Sequence, residues 1–222
     1  MIRLKNINKI YSNYENETKA LKNISLEIGQ GEMLAITGTS GSGKSTLLHI
    51  LGGLDMPTSG EYFFDDQEIT QMNGREIHAF RKYNMGFVFQ DFALIGRYTA
   101  FENMELPLIA RGVKNRREII MNCMKRLGID HLAGKRPAHM SGGQQQRVAI
   151  GRALVSNARI LLCDEPTGAL DGKTGGEVMD LLEEINREGK TVIVVTHDIK
   201  VAERCRCRIE IEDGRIVTDA SD

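Results

Sequence analysis

Apolar and polar positions alternate over residues 2–11 (Ile2, Leu4, Ile7) and 19–28 (Ala20, Leu21, Ile24, Leu26, Ile28), the pattern of half-buried β-strands. Between them Ser12 to Thr18 is polar and predicts a loop. Met33 to Ile36 is unbroken apolar sequence, as expected of a strand buried on both faces. Leu47, Leu48, Ile50 and Leu51 then switch to helical spacing. Residues 60–69 predict a short hairpin, and Phe87 to Phe89 a buried strand. From about 92 to 155 the pattern is helical, strongest over Asn115 to Leu127 and Gln144 to Val155. Ile160 to Cys163 predicts another buried strand. Val178, Leu181, Leu182 and Ile185 mark one helix face at i, i+3, i+4, i+7. Val192 to Val195 predicts a further strand. Ile209 and Ile211, then Asp213-Gly214, then Ile216 predict a hairpin with an Asp-Gly turn. Buried strands alternating with helices imply an α/β fold with a mainly parallel sheet covered on both faces. The hairpins add antiparallel strands to it.

The 222 residues suffice for one large α/β domain or two small ones. With only 4 prolines, no repeat and no low-complexity segment, the chain reads as one continuous domain. Lys+Arg is 29 against Asp+Glu 30, a net charge of -1, so bulk attraction to nucleic acid or anionic lipid is not expected. The longest apolar run is four residues, as in Val192 to Val195, whereas a membrane-spanning helix needs about 20. No spanning helix is therefore expected. Arg3, Lys5 and Lys9 among single apolar residues leave no signal-peptide core at the start. Cys123, Cys163, Cys205 and Cys207 are too irregular for a disulfide framework or a four-ligand zinc site. Cys205 and Cys207 form a C-x-C pair, for which unpaired thiols are a simpler reading than a metal site. Glycine is in excess, with 23 residues, about 10% against a usual ~7%.

Part of that excess has a chemical address. Gly38-Thr39-Ser40-Gly41-Ser42-Gly43-Lys44-Ser45 fits G-x-x-x-x-G-K-[ST], after a predicted strand and before a predicted helix. The glycines let backbone N–H groups curl toward phosphate oxygens, and the helix N-terminus adds positive potential. Lys44 would reach the β- and γ-phosphates, and Ser45 would offer a hydroxyl to Mg²⁺. A chance match in a chain of this length has a probability on the order of one percent.

Ile160 to Cys163 leads into Asp164-Glu165. Adjacent strand residues point to opposite sides, so Asp164 can hold Mg²⁺ while Glu165 faces an attacking water as general base. Gln90 and His197 follow predicted strands in the same sense. A neutral amide at Gln90 would touch Mg²⁺ and the attacking water, and His197 the γ-phosphate. Met140-Ser141-Gly142-Gly143-Gln144 opens a helix with Ser141 as a suitable cap, a second phosphate-binding terminus or simply a capped helix start.

The set resembles the ATP-binding-cassette (ABC) ATPases over essentially the whole chain. Gly38 to Ser45, followed by Thr46, matches the family's Walker A loop. Ile160 to Asp164 matches Walker B, with Glu165 in the catalytic-glutamate place. Ser141-Gly142-Gly143-Gln144 matches the signature motif, with Met140 where Leu is commoner. Gln90 matches the Q-loop, Gly168-Ala169-Leu170-Asp171 the D-loop, and His197 the switch histidine. Tyr11 falls where the family stacks an aromatic on adenine, although a strand-end aromatic packing on the sheet fits it equally well.

The resemblance implies the P-loop NTPase fold of those ATPases. An antiparallel β subdomain and core would span 1–90 and 156–222, and a helical subdomain about 91–155. It implies ATP and Mg²⁺ as ligands, with Asp171 added to the ATP-binding set. It further implies a head-to-tail dimer with two ATP between the loop of one copy and the signature of the other. A separate membrane permease would dock in a groove near Phe92 to Phe101, holding the chain at the cytoplasmic face of the membrane. Gly52-Gly53-Leu54-Asp55, Phe89-Gln90-Asp91-Phe92 and Asp164-Glu165-Pro166-Thr167 look like the group that drives macrolide export and lipoprotein release. The polar loop Ser12 to Thr18 also suits that group. The competing reading is a non-transport member, such as a cell-division ATPase signalling to cell-wall remodelling. An adenylate-type kinase or a GTPase would share the loop but not Ser141 to Gln144 or Glu165.

Overall fold

The computed structural model describes residues 1–12 and 16–221. The chain divides into two compact units, one of Met1–Arg81 with Ile185–Asp222 and one of Lys82–Glu184.

In the first unit, β1 (Ile2–Ser12) pairs antiparallel with β2 (Glu17–Ile28) on one side and with β4 (Ser59–Phe64) on the other. A short β5 (Gln67–Glu68) follows β4 as its antiparallel partner, which makes the hairpin expected over 60–69. Ile2 and Leu4 keep strand alternation, but Ile7 is three residues on and also fully buried. The register shifts between Leu4 and Ile7, where Asn6 takes φ 50° and its N–H donates to Ser25 Oγ at 3.0 Å. That bulge returns Ile7 to the inner face. Polar Ser12, Glu17 and Thr18 belong to the strands, not to a loop, because Tyr11 pairs with Thr18 and Ser12 with Glu17. Asn13 to Glu15, the middle of the expected loop, lie outside the described residues.

A second sheet of this unit centres on β3 (Met33–Thr37). It runs parallel to β8 (Thr191–Val195) and to β9 (Cys207–Glu212). The whole of β8 is buried, which is why its residues form an unbroken apolar run. β9 returns as β10 (Arg215–Ser221) through Asp213 (φ 48°) and Gly214 (φ 76°), both left-handed as such a tight turn requires. α1 (Lys44–Leu51) follows β3 and buries Leu47, Leu48, Ile50 and Leu51.

In the second unit, β6 (Met85–Val88) and β7 (Ile160–Asp164) pair in parallel. α3 (Ala100–Ala110), α4 (Arg116–Arg126) and α5 (Gly142–Val155) supply the expected helical region. That region starts later than its apolar pattern suggests: residues 92–99 are irregular, and the first helix begins at a capping box of Thr99 and Glu102. β6 also stops at Val88, and Phe89 lies beyond it, its ring stacked on that of Phe87 at 5.7 Å. The division between units falls within two helices, α2 (Gly74–Asn84) and α6 (Gly172–Arg187). α2 was not expected, because only Ile77 and Phe80 are buried and no apolar stripe develops. Its start was nevertheless encoded: Asn73 Oδ1 accepts from Arg75 and Glu76 N–H, and Glu76 Oε2 accepts from Asn73 N–H at 2.8 Å. Among the described residues no helix is long and apolar enough to cross a membrane.

Candidate functional site

The loop between β3 and α1 is shaped by glycines, two of which have no room for a side chain. A Cβ on Gly43 (φ 111°) would lie 2.6 Å from Ala20 O, and one on Gly38 (φ 139°) would run into Ile211 O. The Asp213-Gly214 turn braces the loop from behind, since Gly214 N–H donates to Ser42 O at 2.9 Å. Lys44 is only 8% exposed. Its ammonium donates back to Gly38 O at 2.9 Å and Thr39 O at 2.7 Å, so the positive charge lies inside the curl of the loop. The α1 N-terminus at Gly43 has no side-chain cap. Ser42 is buried, and its Oγ has no partner among the described residues. A buried cation, an uncapped helix start and a partnerless buried hydroxyl together fit a phosphate. Thr39, Ser40, Gly41 and Ser45 are exposed at the same place, beside a cavity of about 330 Å³ that Gly41 and Gly43 to Thr46 help to line.

Tyr11 sits near the end of β1 with 44% exposure. Its hydroxyl donates to Asp55 Oδ2 at 2.7 Å and also meets the Thr46 side chain. Lys9 Nζ lies 4.8 Å from the centre of the ring and 2.6 Å from Asp55 Oδ1. Burial, then Asp55, push the Tyr11 phenol above its ordinary pKa. Burial alone would raise Asp55, but hydrogen bonds from Lys9 and Tyr11 hold its carboxyl below the ordinary value. The ring is thus anchored through its hydroxyl and covered on one face by Lys9, while the residue keeps 44% of its surface exposed. His197 is exposed just beyond β8 and lines a cavity of about 530 Å³ with Thr37, Gly38 and Thr39.

In the second unit, Asp164 closes β7 and Glu165 follows it, both half-buried. Glu165 has φ 46°, and its carbonyl accepts from Gly168 N–H at 3.0 Å. Gln90, exposed in the turn beyond β6, packs on that same bend, because a Cβ on Gly168 would lie 3.0 Å from Gln90 Nε2. Ser141 caps α5 with a reciprocal box: its Oγ accepts from Gln144 N–H at 3.3 Å, while Gln144 Oε1 accepts from Ser141 N–H at 3.1 Å. Gly142 and Gly143 face Leu170 and the Thr174 methyl at contact distance, so larger residues would push the 168–174 segment away. The Asp171 carboxylate caps α6, accepting from Lys173 N–H, Thr174 N–H and Thr174 Oγ1. Those bonds, first the Thr174 N–H, hold it below the usual carboxylate pKa. The structure thus brings Gln90, Glu165, the 168–171 bend and the start of α5 together within one unit.

Sequence reasoning missed the residues that hold the 90–99 segment. Arg152 donates to Phe92 O at 3.0 Å and to Ala93 O, two successive left-handed residues (φ 63° and 45°). Asn103, fully buried, accepts from Ile95 N–H at 2.8 Å and donates to Ile95 O, Tyr98 O and Thr99 O. A polar residue on the inner face of α3 was the available signal. Asn103→Leu is expected to lower stability by about 1–3 kcal/mol, since it orphans those backbone groups. Thermal unfolding checks this, and an unshifted midpoint would contradict the bracing role.

The fold and these sites define an ATP-binding cassette: residues 21–168 match the family model described as ABC transporter, and the chain belongs to that family. It is 48% identical over 221 residues to the macrolide export ATP-binding/permease protein MacB 1/2 of Paracoccus denitrificans, covering 99% of this chain and 33% of that protein. The chain therefore spans about a third of the MacB relatives it matches. It is also 48% identical to the ABC transporter ATP-binding protein MJ0796 of Methanocaldococcus jannaschii, covering 97% of this chain and 95% of that protein. A dimeric MJ0796 cassette in a post-hydrolysis state with ADP and Pi superposes with a TM-score of 0.91 at 45% identity, covering 100% of this chain and 98% of that one. CbiO1 of Clostridium perfringens, part of the transporter complex cbiONQ, gives 0.88 at 34% identity, covering 99% and 88%.

Proposed function

We propose that this cassette is the ATP-hydrolysing subunit of a membrane complex, and that two copies close head to tail around two ATP molecules. The observation that carries the reading is the loop itself, where a buried Lys44 and a partnerless Ser42 Oγ lie at an uncapped helix start. The match to a cassette dimer holding ADP and Pi supports it.

Gly38 to Thr46 would hold the phosphates, with Lys44 exchanging its two carbonyl partners for phosphate oxygens. Tyr11 would stack on the adenine. Ser45, Gln90 and Asp164 would hold Mg²⁺, a choice that suits the ion's preference for oxygen ligands. Bound Mg²⁺ would neutralise charge on the phosphates. Glu165 would accept the proton of the attacking water as its oxygen bonds to the γ-phosphorus and the bond to the bridging oxygen breaks. His197 would contact the γ-phosphate. Ser141 to Gln144 of one copy would meet the nucleotide of the other, aided by Asp171, which explains why one chain carries two phosphate-binding termini.

On this reading the core and β subdomain would span 1–90 and 156–222 and the helical subdomain about 91–155, boundaries that differ from those of the two compact units. The groove near Phe92 to Phe101, where Ile95 is exposed, would receive an integral permease at the cytoplasmic face of the membrane. Export or extraction of a peptide, antimicrobial compound or lipoprotein fits the likeness to MacB. Co-purification of the tagged chain from membranes tests this. A permease that raises ATP turnover is the expected partner; a division-site partner without transport would instead support a cell-wall signalling role.

A further inference from the structure

α5 buries Val148, Ala149, Ile150 and Ala153, yet its most enclosed early position is an amide. Gln146 is 0% exposed. Its Nε2 donates to Pro166 O at 2.6 Å, while its Oε1 has no partner among the described residues. Burying an amide whose oxygen has no partner among the described residues is unfavourable, and an apolar side chain of similar volume would avoid that cost. The donor bond to Pro166 is what such a residue supplies.

Pro166 directly follows Glu165, whose φ of 46° is disfavoured twice. A non-glycine residue rarely adopts it, and a residue before proline is pushed toward extended conformations. Such a backbone persists only where its surroundings hold it. Gly168 N–H holds the Glu165 carbonyl from within the bend. Gln146 holds the next carbonyl from a different element.

The geometry points to Gln146 as a positioning residue for Glu165: its amide fixes the Glu165-Pro166 bend and so aims the carboxylate. Gln146 lies two residues beyond Gln144 on α5, the helix capped by Ser141. Hence the terminus proposed to meet the partner's nucleotide and the carboxylate proposed to take the proton are joined by one hydrogen bond. A shift of α5 when a second copy engages Ser141 would reach Glu165 directly through Pro166. The inference rests on the proposed role of Glu165.

Gln146→Leu and Gln146→Met keep the volume and remove the donor. The full chain is assayed with Mg-ATP for kcat and KM, and by thermal unfolding, beside Glu165→Gln. The expected result is a kcat lowered at least about tenfold, with KM within about twofold and an unfolding midpoint unchanged or raised. A kcat within about twofold of the native chain would overturn the inference. So would a kcat that falls only together with the unfolding midpoint, or failure of both variants to fold, because each describes a purely structural residue. Native turnover in Glu165→Gln would overturn the role of Glu165 itself. Loss in Glu165→Gln beside full activity in both Gln146 variants would remove only the positioning role.

Discussion

Glu165→Gln should lower ATP turnover by about 10²–10⁴-fold while leaving ATP binding intact. The substitution keeps the shape and removes only the ability to accept a proton. The backbone at this position is fixed by its neighbours, since Gly168 N–H holds the Glu165 carbonyl and Gln146 holds that of Pro166. An amide will therefore occupy the place of the carboxylate without rearrangement of the bend. The phosphate contacts proposed for residues 38–46 are untouched. Steady-state turnover of the purified variant, with ATP affinity measured separately, checks both halves. Loss of binding along with turnover would mean that the carboxylate serves the ligand and not the water.

Lys44→Ala should act at the other end of the reaction coordinate, lowering kcat/KM for ATP by about 10–100-fold through lost charge-assisted contacts. The lysine is buried, and among the described residues its ammonium bonds carbonyls of its own loop, Gly38 O and Thr39 O. Those carbonyls lie in an exposed loop, so removing the lysine should cost little folding stability. The expected signature is weak nucleotide binding in a chain with a near-native unfolding midpoint. Titration with a fluorescent ATP analogue beside thermal unfolding reads both; unchanged affinity would contradict the phosphate-loop assignment.

These two residues were legible from sequence because their context is local. Gly38 to Ser45 carries its own turn, and the apolar run before it becomes β3. Apolar runs also marked β7 and β8, whose burial on both faces leaves no other composition open. Where structure depends on partners distant in sequence, local patterns were insufficient. Ser12 and Glu17 are polar, yet they extend β1 and β2 because pairing with each other satisfies their backbones. α2 buries only Ile77 and Phe80 and so showed no periodic stripe, although the Asn73–Glu76 box was there to be read. The stretch 92–99 falls in the region predicted helical, but its apolar residues form a consecutive run, Phe92 to Ile95, without helical spacing, and Arg152 and Asn103 hold its carbonyls in another path. Gln146 was hidden among three consecutive glutamines. Only packing distinguishes the one that is buried against Pro166 from its neighbours.

On the proposed reading one chain supplies half of each of two composite sites. Sedimentation velocity of the Glu165→Gln chain, with and without ATP, tests it most directly. A monomer is expected without nucleotide, and a dimer holding two ATP per pair of chains with it. Replacement of Ser141 by a bulky residue should abolish that dimer while leaving ATP binding to the monomer. A variant that binds ATP fully but stays monomeric at every concentration would contradict the shared-site account.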